Sequence, residues 1–151
     1  MTDSSDVRQC AAVICAYLSG DDEGRRVLQA DPIFTYRQWY EGAVVVCASV
    51  LELVAADAEC SGVDVIGAFV PEVHGVVAGP REHDEALAVV LYYHLHREVI
   101  EVDDAAGEVL ASLFDIAVTG IEQIARALGR PPVEMARLLA IAAEKHGNST
   151  W

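Results

Sequence analysis

Between Ala43 and Val54 the chain reads AVVVCASVLELV, a run in which only Ser49 and Glu52 are polar. If the run is helical, apolar side chains project from nearly every side of it, and such a helix has to be covered on every side. Its start is well marked. Thr35 and Gln38 have the Thr-x-x-Gln spacing of a capping box, and Phe34 and Trp39 stand at the two positions of a hydrophobic staple. The expected helix, 35–59, would span on the order of 35 to 40 Å at about 1.5 Å per residue. Glu52, Asp57 and Glu59 interrupt it, and the uninterrupted apolar part is too short to cross roughly 30 Å of hydrocarbon. A protein core, not a bilayer, is the expected surrounding.

That helix sets the fold class: an all-α, single-domain helical bundle of five to seven helices around a buried central helix at 35–59. A chain of 151 residues that is 53% hydrophobic is large enough to build one such core. The domain is expected over 1–147, with 148–151 as a C-terminal tail. Cys10, Val13, Ile14, Tyr17 and Leu18 give a first amphipathic helix from Asp6 to Leu18, and Asp22 to Gln29 a short second one. After the central helix, Ser61 and Asp64 repeat the capping spacing ahead of Val63, Ile66, Phe69 and Val70, up to Pro71. Glu72 to Gly79 reads as loop. Pro80 opens a helix whose expected stripe is Leu87, Leu91, Leu95, Val99 and Val102. Asp103 or Asp104 would cap the next, with a stripe through Leu110, Leu113, Phe114, Ala117, Ile121, Ile124 and Leu128, ended by Gly129. Pro131-Pro132 opens a last helix from Val133 to His146, ending at Gly147.

A shift of 70 residues lays Leu51-Glu52, Val54-Ala55 and Val63-Asp64 on Ile121-Glu122, Ile124-Ala125 and Val133-Glu134. A duplicated unit of helix, corner and helix would explain this, and it predicts pseudo-twofold symmetry.

Net charge is −14, and it is unevenly placed. From Glu41 to Asp115 there are 15 acidic residues against Arg81 and Arg97, whereas Ile116 to Trp151 has three acids and four bases. Such a balance opposes general attraction to nucleic acid or anionic lipid. Cys10, Cys15, Cys47 and Cys60 show no Cys-x-x-Cys spacing and read as reduced core residues, and the N-terminus MTDSSDVRQC lacks the pattern of a signal peptide. The cytoplasm is the expected location.

In IEQIARALGRPPVEMARLLAIA, Ala125 and Gly129 stand at a packing alanine and a turn glycine, with Ile124, Leu128, Met135 and Leu138 at buried positions. Over this stretch of about twenty residues the chain resembles the helix-turn-helix of small bacterial DNA-binding proteins. The resemblance implies a transcription-associated protein touching DNA through 121–145, with Arg126, Arg130, Arg137 and Lys145 as candidate phosphate contacts. Arg130 departs from the usual apolar turn residue, and PPVEMARLLAIAAEK has few side chains that read base edges.

His94 and His96 turn about 200° away from each other on a helix, so they cannot share a metal. His94 and Glu98 stand one turn apart, and His83 or His74 would have to join them. No Gly-x-Ser-x-Gly elbow, phosphate loop or cofactor motif is present. The Glu82, Asp84, Glu85 cluster and the Glu98, Glu101, Asp103, Asp104 cluster read as solvated helix ends. Trp39, Tyr40, Tyr92 and Tyr93 are candidate interface residues. The leading expectation is a non-catalytic protein-protein interaction or assembly module that forms a homodimer, because helices one, five and six offer more apolar face than one central helix needs. The alternatives are DNA binding through the 121–145 corner and an acidic inhibitor that mimics nucleic acid.

Overall fold

The way the chain covers its most apolar segment determines the architecture. A computed structural model describes residues 4–69, 80–102 and 107–148. Among them are seven helices and no strand: α1 (Ser4–Ser19), α2 (Asp22–Gln29), α3 (Tyr36–Asp57), α4 (Gly62–Ala68), α5 (Pro80–His96), α6 (Glu108–Leu128) and α7 (Pro132–Asn148). The fold is all-α, and α3 is its buried central helix, touched by α1, α4, α5, α6 and α7.

The start of α3 is fixed as the sequence predicts. Thr35 Oγ1 accepts the Gln38 N–H at 3.2 Å and Gln38 Oε1 accepts the Thr35 N–H at 2.8 Å. Phe34 meets Trp39 edge to face, with centroids 4.6 Å apart. By length and composition alone α3 could cross a bilayer, but here 61% of its most apolar window is buried against the other helices, as a core helix is. Fully burying Val44, Val50 and Leu51 contributes roughly 1.5 to 3 kcal/mol for each side chain.

A second helix shares the centre. Its sequence reads as amphipathic, yet α6 buries Ser112, Asp115, Thr119 and Gly120 along with Leu113, Ile116, Ala117, Val118, Ile121 and Ile124. The Cys47 thiol donates to Leu113 O at 2.8 Å, which locks α3 to α6 in the interior. Three residues further along α3 and seven further along α6, a Cβ placed on Gly120 would fall 2.4 Å from Val50 Cγ1, so the two backbones approach to a distance only glycine permits. The surplus apolar face expected on this helix is therefore consumed inside the fold.

The two halves repeat one corner. The left-handed residue after α3 is Glu59 (φ 56°) and after α6 is Gly129 (φ 66°), 70 positions apart; α4 begins at 62 and α7 at 132, again 70 apart. The Cys60 N–H donates to Ala55 O at 2.9 Å, and the Arg130 N–H donates to Ala125 O at 2.9 Å. The packing also exchanges between halves. First helix α1 lies on α3 and on α7 of the other half; α5 lies on α6 and on α4 of the other half. This is the contact pattern of two interlocked three-helix units. α2 stands outside it, buries no residue and rests on α1, with Arg25 over the Tyr17 ring at 5.7 Å.

Several boundaries differ from the sequence reading. α5 stops at His96 because Arg97 adopts φ 56°, so Val99 and Val102 lie beyond the helix. Its buried positions are Ala86, Val89, Val90 and Tyr93, one register away from the expected Leu87, Leu91 and Leu95 stripe. The N-cap of α6 is Gly107 in the left-handed region, not Asp103 or Asp104, which lie outside the described residues. Leu128 and Val63 are exposed, and α7 continues past Gly147 to Asn148. The expected loop over 72–79 and the tail residues 149–151 lie outside the described residues.

Candidate functional site

The polar groups that the fold carries inward gather along α5. Near its end, His94 Nδ1 lies 2.9 Å from Glu52 Oε1 on α3, and Arg97 Nη1 meets the same oxygen at 2.9 Å. Arg97 also covers the Tyr93 ring at 5.3 Å. Burial pushes the Tyr93 phenol up, and the Arg97 charge acts in the opposite sense. A Cβ on Gly62, the first residue of α4, would fall 2.5 Å from the His94 ring, so the imidazole is wedged between α3 and α4. One carboxylate thus joins the end of α5 to α3, and α4 packs against the imidazole it holds. The sequence pairs His94 with Glu98, but α5 ends before Glu98, and that residue is exposed.

At the other end of α5, His83 Nε2 lies 3.5 Å from Asp115 Oδ2, with side chains 15% and 5% exposed. Ser112 and Thr119 stand one turn before and after Asp115 on α6, and both are buried. Ser112, His83 and Asp115 have the residue types of a hydrolytic triad, yet Ser112 is 0% exposed and no substrate can reach its hydroxyl. His83 and His94 are eleven positions apart, about 16 Å along a helix axis. His83, His94 and Glu98 therefore do not converge. His74 lies outside the described residues, and among the described residues no three His, Cys, Asp or Glu side chains stand close enough together to hold a metal ion. The inward-facing Asp115 is the residue that sequence reasoning missed; the signal was a lone carboxylate inside the apolar run LFDIAV.

The α6–α7 corner is present, with Gly129 at its turn. Arg126, Arg130 and Arg137 are exposed, and Arg130 pairs with Glu134 one helical turn away. Lys145 stands on α7. Of the four positions that the helix-turn-helix resemblance would bury, Ile124 and Met135 are buried, but Leu128 and Leu138 are each 49% exposed. α7 turns Met135 and Ala136 into the bundle, and leaves Leu138 and Ile141 outside.

The aromatic candidates divide. Tyr40 and Tyr93 are core residues, which corrects their placement at an interface; Tyr40 donates to Ile100 O at 3.0 Å. Trp39 is half-buried between Phe34 and Phe114, and half-buried Tyr92 lies 4.5 Å from the His96 ring. All four cysteines are free. Burial pushes the Cys10 and Cys47 thiols well above their ordinary range, while Cys60 is exposed rather than part of the core. A small crevice between α1, α3, α6 and α7 is lined by Ala11, Ile14, Val46, Val50, Ile121 and Ala136, with Ser49 as its polar residue. Such a lining offers little to orient a ligand. No protein-family model, no curated protein and no solved structure matches this chain.

Proposed function

We propose that the chain is a non-catalytic protein-protein interaction or assembly module that associates with copies of itself. The observation that supports this most is a patch the fold does not use. α3 and α6 are enclosed within the chain, while Leu138 (49% exposed) and Ile141 (54% exposed) stand on successive turns of α7. Single exposed aliphatic side chains are ordinary; adjacent ones on one helix face form a surface that association would cover. The polar clusters at His94 and His83 have helix-joining partners and need no substrate to account for them. The free thiols fit a reducing compartment such as the cytoplasm, which belongs to the same proposal. Light scattering of the purified chain from micromolar to millimolar concentration tests it. A mass above the 16.2 kDa of one chain supports association. The monomer mass throughout ends it.

A second reading, DNA binding through 121–145, is supported by the exposed Arg126 and Arg137. It predicts a salt-sensitive shift of duplex DNA that Arg130→Ala with Arg137→Ala abolishes. The Arg130–Glu134 pair and the aliphatic outer face of α7 weigh against it.

A further inference from the structure

We infer that copies associate by exchanging their N-terminal arms: α1 and α2 of one chain, residues 4–29, dock on the body formed by α3 to α7 of a second copy. This rests on the self-association reading and supplies its route. α1 buries Val7, Cys10 and Ile14, and it packs on α3 and α7. Among its polar ties to the body, the Cys10 thiol donates to Trp39 O at 3.3 Å and the Gln38 amide donates to Asp6 Oδ1 at 3.2 Å.

The connection from α1 to α3 stands off that body. No residue from 20 to 35 is buried, and α2 packs on α1 but on no other helix. Gln9 Nε2 donates to Leu28 O at 3.1 Å and Arg25 covers the Tyr17 ring, so α2 and α1 form one arm. The staple of Phe34 on Trp39 already belongs to the body, which puts the hinge at 30–33, around Pro32. The equivalent connection in the other half is built differently. After α5, Val99 and Val102 pack against the core, Ile100 O accepts from the Tyr40 hydroxyl and Glu101 pairs with Arg37. α5 is thus tied down by its connection, whereas α1 is held through its docking face.

The groove that takes α1 is filled with the same contacts by the α1 of a second copy, so exchange asks for no new exposed surface on chains that repel each other at a net charge of −14. A second copy's arm has only to compete with the chain's own. The connection 20–35 holds that arm at an effective concentration on the order of millimolar. Chains folded at micromolar concentration therefore close on themselves, and chains folded near millimolar concentration exchange. An exchanged pair must expose the buried face of α1 to come apart, so it outlasts dilution, which a surface contact does not.

Paramagnetic labelling of mixed chains tests the exchange. One chain carries a nitroxide on Ser19→Cys, at the exposed end of α1, with the exposed Cys60 replaced by Ser; the other is ¹⁵N-labelled wild type. Equal amounts are unfolded, mixed and refolded near millimolar concentration, and the fraction at twice the 16.2 kDa of one chain is isolated and diluted. That fraction persists, and the ¹⁵N amides across the α1–α7 contact, among them Met135 and Ala136, lose half of their intensity, because half of the ¹⁵N chains then have a nitroxide partner. The set of broadened amides matches the set broadened within one chain when label and ¹⁵N are on the same monomer. A pair that falls apart on dilution, or whose broadened amides differ from the intrachain set, would rule out arm exchange and leave self-association standing. If folding near millimolar concentration yields the 16.2 kDa chain alone, both fail.

Discussion

Val50 on α3 and Gly120 on α6, 70 residues apart, meet at the point where the two central helices cross, and a Cβ on Gly120 would stand 2.4 Å from Val50 Cγ1. Cys47 and Ala117, also 70 residues apart, meet one turn earlier, where the Ala117 backbone N–H faces the sulfur. Residues equivalent in the two halves therefore face each other along the crossing, as they do on the axis of a twofold dimer.

This crossing predicts a coupled pair of substitutions. Gly120→Ala must push Val50 or separate the helices, so it destabilises the chain by about 1 to 3 kcal/mol, in the range of core overpacking. Val50→Ala alone leaves a cavity and also destabilises. Combined, the two cost less than their sum, because the missing methyl groups of Val50 make room for the added Cβ. Urea denaturation of the four proteins measures the coupling, and strict additivity would show that α3 and α6 do not touch there.

The Glu52 carboxylate holds His94 and Arg97 together, so Glu52→Ala frees the end of α5 from α3. With Glu52 28% exposed and Arg97 36% exposed, solvent screens the pair, and the loss is on the order of 1 kcal/mol, about 2 to 4 °C in Tm. Glu98→Ala changes Tm by less than about 1 °C, as surface substitutions do. Equal effects at the two positions in thermal unfolding would contradict the pairing.

Much of this was legible in the sequence, and the exceptions have definite causes. Thr35, Gln38, Phe34 and Trp39 announce the start of α3 because the capping groups are local, within five residues of each other. Gly129 announces the α6–α7 corner because glycine favours the left-handed region, whereas Arg97 and Glu59 end their helices at φ 56° with no such signal. The 70-residue shift was visible as weak identity and gains its meaning from Val50 and Gly120 touching. The partner of His94 was not legible, since Glu52 lies 42 residues away and is brought there by the packing of α5 on α3. The burial of Asp115 and Ser112 depends likewise on α5 covering a face that composition alone reads as solvated.

Alkaline conditions weaken the fold. Burial holds the Cys10 and Cys47 thiols neutral in the folded chain, well above the value of 9.0 they have when exposed. Their folded pKa values are raised, so their contribution is complete below about pH 9. Above that, unfolded thiols release protons that folded ones retain, and stability falls by up to about 1.4 kcal/mol per pH unit for each thiol. Urea midpoints from pH 8 to 10.5 measure this. Cys47→Ala should give a shallower decline, and an unchanged slope would place the alkaline sensitivity elsewhere.

The most direct test of the central claim, that this helical scaffold associates with copies of itself, is sedimentation equilibrium of the wild-type chain folded at a series of concentrations. The mass should rise from the 16.2 kDa of one chain toward twice that value as the concentration increases. The monomer mass at every concentration up to millimolar would contradict it.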